Sequence, residues 1–507
     1  MNYRLIMKRI VVILFICIAI TMFWHMVLNN TPLLNSPTIT KDYLDSDYMQ
    51  YLDQQVKYLM KKYKIPGANI AMIRQGKIAW VKAYGYADKE KAIPMRLETI
   101  CRVESISKSV TAWGVMRLIY EGKISLDKPI ENYFTTWKFP PAAFSSKSIT
   151  VRHLLSHSAG LPLGTIGVRY SPDEKKPTLR ESLYKDAVVI SVPGTFSYSN
   201  TGFNILELLI EEVTKLSFAD YMKHKILNPL GLKHSDYRWD DSFEPFPNGY
   251  TLNGKPIPAY VYPEKGAGGL FSTVEDIAQF VIAGMTSFNN NGNKIMSDEY
   301  IQKLYQPAVK IPGLYGMAFP WYGFGHFIEI SKHNIKAVSH GGQGTGWMTH
   351  FHSIPQTGDG IVILTNSQRS WPFFAYILND WAQWIGFGSV GMSKIIYAEL
   401  VLWFVLYILL ILILLLLYRL INGLLLGIRK IAFFKEQYSV IRIIQLVTGI
   451  IVLSILLWAV HQDYLFISSV FPEASVWGGY CLALCGFVLL LYFFIPEKNK
   501  ITKKIFS

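Results

Sequence analysis

The chain has 507 residues, 51% of them hydrophobic and 17% charged, with a formal net charge of +14. So apolar and charge-poor a composition argues against a wholly soluble or disordered chain and predicts a folded part joined to membrane segments. The basic excess forms no Arg-rich stripe and accompanies no nucleic-acid module, so it suits an anionic envelope or membrane surface, and no nucleic-acid partner is expected.

At the N-terminus, Arg4, Lys8 and Arg9 precede an apolar run over residues 10–28. As a helix this run would be about 28 Å long, close to the hydrocarbon thickness of a bilayer. No A-x-A cleavage signal precedes NNTPLL, so residues 1–29 read as an uncleaved transmembrane anchor and residues 30–45 as a polar linker. A helical pattern starts near Asp47 and ends near Lys64. Two strand-like runs, ANIAMIRQGK and IAWVKAYGYAD, meet at Gln75-Gly76 and predict a hairpin. Helical segments dominate the middle, and strands return at KAVSHGG, GWMTHFHSIP and GIVILTNS. Strands at both ends with helices between predict an α/β sandwich over residues 46–390 whose terminal strands share a sheet.

Three more apolar runs, Leu400–Tyr418, Ile443–Val460 and Trp477–Ile495, predict a C-terminal membrane domain over residues 391–507. Arg419, Arg429, Lys430, Lys435 and Arg442 separate the first two runs, and Lys498, Lys500, Lys503 and Lys504 follow the last. The loop with Asp463 and Glu473 has no Lys or Arg. Positive charge inside then gives cytoplasmic N- and C-termini, a multi-pass chain in the cell membrane and an extracytoplasmic domain over residues 30–393. Glu399, Arg442 and His461 fall near span ends, where interfacial placement is expected. Cys101 is alone in the exported part, which therefore has no internal disulfide; it reads as a small buried strand residue.

Three short motifs carry chemistry. In VESISKSV, Ser105 precedes Lys108 by three residues, and Ile106, Val110, Trp113 and Met116 recur at helical spacing after it. Ser105 would open a helix, with Lys108 on the same face and free N–H groups at the positive end. The second Ser-x-x-Lys, Ser182 with Lys185, lacks that setting and reads as surface. Tyr198-Ser199-Asn200 lies in a turn after Pro193-Gly194 and before a helix; taken alone, Asn200 would be its cap. His340-Gly341-Gly342 opens SHGGQGTGW, whose small residues on a strand edge admit a substrate backbone.

SISK, YSN and HGG, in this order, resemble the serine β-lactamase and penicillin-binding-protein superfamily, most of all its class C branch with D,D-peptidases, D-aminopeptidases and esterases. ITVRHLLSHSAGLP, PGTFSYSNTGFNILELLIEEVTKLSFADYMKHKILNPLGLKHS and GAGGLFSTVEDIAQF look like that branch too, so the similarity covers about residues 46–370. The anchor and trailing spans resemble membrane-bound penicillin-binding-protein-like proteins of Gram-positive envelopes. The resemblance implies an antiparallel sheet flanked by helices, with a mostly helical second lobe. It implies Ser105 as nucleophile and Lys108 and Tyr198 sharing proton transfer, with Lys108 keeping the phenol's pKa low. It implies Asn200 holding Lys108 and the substrate amide, His340 standing where lactamases usually carry Lys, and the N–H groups of Ser105 and Gln343 forming an oxyanion hole beside Gly341 and Gly342. Acyl transfer on D-Ala cell-wall peptides or D-alanyl esters follows, with β-lactams as further ligands; with His340 in place of Lys, efficient β-lactam hydrolysis is not expected. The alternative is a penicillin-binding membrane receptor or scaffold with little turnover.

No cofactor is implied. His153 with His157, and His350 with His352, have spacings that metal sites use, but the Glu of H-E-x-x-H is missing and no metal is expected. Ser272 and Glu275 read as a capping box.

Overall fold

The helix expected from Asp47 spans Asp45–Tyr63 (α1), with Tyr48, Leu52, Val56, Leu59 and Tyr63 buried at helical spacing. Lys64, at φ 56°, ends it in the left-handed region. The hairpin follows, β1 (Gly67–Arg74) pairing antiparallel with β2 (Lys77–Asp88). Gln75 and Gly76 both have positive φ, 50° and 70°, as a two-residue hairpin turn requires. The coordinates are a computed structural model that describes residues 39–498, apart from residues 166, 244, 289–292, 433–438 and 463, together with short stretches between residues 12 and 24.

A third short strand, β3 (Ile93–Pro94), flanks β2. The remaining strands come late: β4 (Val309–Lys310), β5 (Trp321–Tyr322), β6 (Phe327–Ile330), β7 (Lys336–Gly344), β8 (Trp347–Ile354) and β9 (Asp359–Thr365). They form one antiparallel sheet in the order β3-β2-β1-β9-β8-β7-β6-β5-β4. Ala68 of β1 faces Thr365 of β9, so the strands from the two ends of the domain are neighbours, as expected.

Helices cover both faces of this sheet. The ones that matter for the site are α2 (Ile106–Tyr120), α3 (Asn200–Thr214), α4 (Val274–Ala283) and α5 (Trp371–Trp384). Successive β8 side chains alternate between faces. Phe351 meets Phe280 of α4, and His350 and His352 meet Phe374 and Trp381 of α5. On the α5 side Tyr48 of α1 stacks on Trp384 at 4.1 Å, and the Tyr51 hydroxyl donates to Asp380 at 2.7 Å. α2 is buried on nearly every face, so its sequence showed only a loose helical period. Cys101 lies in a short strand paired with Phe271–Ser272, and burial pushes its thiol up to about 12, as an inert packing residue. One local expectation fails. The cap of α4 is Thr273, which accepts from the Asp276 N–H at 3.3 Å, while Ser272 bonds Ser235 at 2.8 Å in the core.

The chain divides into two compact units, residues 39–395 and a second formed by the N-terminal segment with the residues from Ile396 on. The second holds α6 (Lys394–Leu425, mostly within it), α7 (Val440–Val460) and α8 (Pro472–Phe494). Each is long and apolar enough to cross a membrane. Their outer faces expose large apolar side chains such as Ile408, Ile441 and Phe487, which suits lipid better than water. Inside, α7 and α8 approach closely where a Cβ on Gly449 would stand 3.0 Å from the Gly486 carbonyl oxygen, and Arg442 donates to the Phe493 carbonyl at 2.8 and 3.1 Å. The N-terminal run, residues 10–28, lies largely outside the described residues, as do Lys500, Lys503 and Lys504.

Candidate active site

Ser105 is the residue immediately before α2, half-buried, at φ −67° and ψ −5°. Among the described residues its backbone N–H meets no acceptor. A helix start leaves such donors free, and the helix dipole favours negative charge there. One turn on, Lys108 is fully buried, and its ammonium or amine nitrogen reaches three oxygens. Ser105 Oγ is 2.9 Å away, Asn200 Oδ1 2.8 Å and the Ala267 carbonyl 2.7 Å. Burial lowers the Lys108 pKa to about 7, and the Glu104 carboxylate partly opposes that shift. Near neutral pH a good share of Lys108 is therefore a free amine beside a hydroxyl, the pairing a general base needs.

Asn200 is free to hold Lys108 because it does not cap α3. Ser199 does, accepting from the Gly202 N–H at 3.0 Å, so the capping role weighed for Asn200 belongs one residue earlier. Tyr198 hydrogen-bonds Ser105, and Lys108 lies 5.0 Å above its ring. Its phenol runs against expectation. Burial raises its pKa, and the Ser105 hydrogen bond opposes the rise only in part. The lowered pKa sits on Lys108, and Tyr198 remains a neutral hydrogen-bonding group.

The turn that carries Tyr198 is held by His157, a residue weighed from sequence only for its metal-like spacing with His153. His157 adopts φ 55°, accepts from the Ser199 N–H at 3.1 Å through Nδ1, and offers its carbonyl to the Ser197 N–H at 2.7 Å. Its ring packs on Tyr198 at 4.2 Å, and burial keeps it neutral. Its partner in the spacing, His153, closes the capping box of the helix that Thr150 opens. Among the described residues no group of three His, Cys, Asp or Glu is arranged to hold a metal.

The strand edge is β7. Its ladder with β6 covers only Lys336–Ser339, while the pairing with β8 continues to Gly344. From Gly341 onward, among the described residues, no strand lies along the β6 side. Gly342 is a steric requirement: a Cβ there would stand 2.2 Å from both Thr349 Oγ1 and the Val103 carbonyl oxygen. Gly342→Ala is expected to push this edge out of register with the Ser105 turn and to cost about 1–3 kcal/mol in denaturant unfolding, with a matching loss of covalent labelling. The Gln343 side chain accepts from Trp371 Nε1 at 3.3 Å. His340 is fully buried, 3.0 Å from the Tyr322 hydroxyl through Nε2 and 2.8 Å from the Gly341 carbonyl through Nδ1. Burial and the nearby Lys108 charge hold its pKa well below the usual histidine range, so it supplies no permanent positive charge.

Two supports escaped the sequence reading. Glu207 of α3 accepts from the backbone N–H groups of Lys265 and Gly266 at 2.5 and 2.6 Å, which presents Ala267 to Lys108. Its signal was an acid on the apolar face of ILELLIEEV. Glu104, just before Ser105, is buried against Arg102, Tyr260 and Tyr262. The rival Ser182 sits within the helix Leu179–Asp186, away from its opening.

A family model described as Beta-lactamase matches residues 52–379. Protein flp of Staphylococcus aureus (strain MRSA252) is 24% identical over 332 residues, 64% of this chain and 64% of that protein. The chain thus spans 64% of the length of the curated relatives it matches first. Putative penicillin-binding protein PbpX of Bacillus subtilis (strain 168) is 26% identical over 322 residues, 62% of this chain and 73% of that one. Among solved structures, the octameric penicillin-binding protein homologue from Pyrococcus abyssi has a TM-score of 0.57 at 30% identity, over 71% of this chain and 81% of that one. The penicillin binding protein from Bacillus halodurans has a TM-score of 0.52 at 22% identity, over 64% and 98%, a likeness of fold alone.

Proposed function

The chain belongs to the beta-lactamase family, and from that premise we propose a membrane-anchored extracytoplasmic serine hydrolase or acyltransferase that works through an acyl-Ser105 intermediate. One observation carries the reading: a buried Lys108 nitrogen with a pKa near 7 lies 2.9 Å from Ser105 Oγ. In this reading residues 1–29 anchor the chain, residues 46–390 form the hydrolase domain outside the membrane, residues 391–507 add three spans, and both termini are cytoplasmic.

The neutral Lys108 amine takes the Ser105 hydroxyl proton as Oγ attacks the substrate carbonyl. The oxyanion forms between the Ser105 and Gln343 N–H groups, with Gly341 and Gly342 leaving the strand edge open to the substrate backbone. Collapse expels an amine or alcohol that leaves with a proton from Lys108 through Tyr198, and Asn200 holds Lys108 and the acyl amide. Water, or a second acceptor, then attacks the acyl ester by the reverse proton path.

The acyl donor follows from charge. His340 is neutral, and the buried Arg102 just before the Ser105 turn is already paired with Glu104 at 2.8 Å. A substrate that depends on a cation to hold its carboxylate is disfavoured, whereas a D-alanyl ester is not. We expect the detergent-solubilised chain to turn over D-alanyl esters faster than D-Ala-D-Ala peptides, and to be acylated by benzylpenicillin with slow release. Faster peptide hydrolysis, read by D-Ala release, would reverse the substrate order. Stable labelling with no turnover of either would favour a receptor.

A further inference from the structure

Glu104 has no part in the proton path, yet it is built firmly into the site. It adopts φ 51°, a conformation that a side-chain-bearing residue seldom takes, directly before Ser105. Its carboxylate is buried and accepts from Arg102 Nε at 2.8 Å, the Tyr260 hydroxyl at 2.9 Å and the Tyr262 hydroxyl at 3.1 Å. Arg102 is itself buried and spent on the Tyr260 and Gly268 carbonyls, and its guanidinium lies 4.1 Å over the Tyr260 ring. Removing either charge alone would leave the other buried and unpaired.

The other side of Glu104 faces β7. A Cβ on Gly344 would stand 2.3 Å from the Glu104 carboxyl carbon and from Oε1, and one on Gly342 2.9 Å from the Glu104 Cβ. Gln343 lies between these two glycines. Tyr260, bonded to Glu104, also contacts the Thr345 carbonyl at 3.1 Å. One side chain therefore touches the nucleophile turn, the Tyr260–Tyr262 segment and both neighbours of Gln343.

We propose that Glu104 is a positioning residue whose clamped carboxylate acts as the spacer between the Ser105 turn and the Gly342–Gly344 edge, and so sets the width of the pocket that receives the oxyanion. This rests on the Ser105 acyl-enzyme reading. Misplacing such donors by about an ångström costs on the order of 10²-fold in rate. The same carboxylate acts on Lys108, which also faces Tyr198, His157 and His340. Removing the Glu104 charge withdraws the influence that raises Lys108, so the acid limb of the rate profile moves to lower pH.

The test is the rate of acylation by fluorescent penicillin, followed from pH 5 to 9 in the full chain in detergent. Glu104→Gln keeps the shape, Glu104→Gly suits the positive φ, and Arg102→Met/Glu104→Met replaces the pair by apolar bulk. The expected result is a maximal acylation rate lower by about 10- to 10²-fold in Glu104→Gly and the double variant and lowered less in Glu104→Gln, an apparent binding constant changed less than about 3-fold, and an acid-limb midpoint shifted down in all three. A folded double variant that acylates at the original rate with the original midpoint would overturn the spacer role and leave Ser105 chemistry standing. An unsubstituted chain with no adduct at Ser105 would overturn both.

Discussion

Ser105→Ala is expected to abolish the covalent adduct of the full chain with benzylpenicillin, read as loss of the mass increment on the intact protein, and to cut ester turnover by about 10⁴-fold or more. The size follows from the arrangement. Among the described residues Ser105 Oγ is the only hydroxyl hydrogen-bonded to Lys108, and Asn200 and the Ala267 carbonyl take its other bonds. Alanine leaves the amine with nothing to deprotonate and the helix start with no attacking atom, while the fold loses one hydroxyl at a half-buried position. Unfolding should therefore shift by less than about 1 kcal/mol, within the usual range for such a surface-near change. Ser182→Ala serves as the comparison and is expected to label as the unsubstituted chain does. An adduct that survives Ser105→Ala and disappears in Ser182→Ala would move the nucleophile.

The second large effect belongs to Lys108. Lys108→Met is expected to lower the acylation rate by about 10²- to 10⁴-fold, the usual weight of general-base catalysis. In the unsubstituted chain that rate should rise through pH 7 and level off above it, because the reactive form is the unprotonated amine. Stability should change over a neighbouring window. The unfolded lysine keeps its proton to about pH 10.4, whereas the folded one releases it near 7. Between these values the unfolded chain binds more protons, so folding becomes more favourable as pH rises from about 7 to about 10. Lys108→Met should lose this rise, which denaturant melts at several pH values would record. A flat acylation profile across pH 7 in the unsubstituted chain would remove Lys108 as the base.

Both results turn on features that differ in how far a sequence reaches them. The Ser105–Lys108 pair was legible because three residues on one helix span a fixed, short distance. The three long C-terminal helices were legible because long apolar runs need no tertiary context to be recognised. The β1–β2 turn was legible because Gln75-Gly76 sits between two alternating runs. The capping residues were less so: Thr273 and Ser199 took roles that spacing had offered to Ser272 and weighed for Asn200. Adjacent polar residues compete for one helix start, and the local backbone angle decides.

What the sequence determined by itself was the set of short-range devices: the serine and lysine at a helix mouth, the tyrosine turn before a helix, the glycine edge and the long apolar helices. What only the tertiary structure decided was their electrical state. Lys108 meets Asn200 across 92 residues and the Ala267 carbonyl across 159. Glu104 meets Tyr260 across 156 residues. A pKa depends on how much water and which charges lie within a few ångströms. Those neighbours are gathered by sheet topology and helix packing, and no local pattern records them.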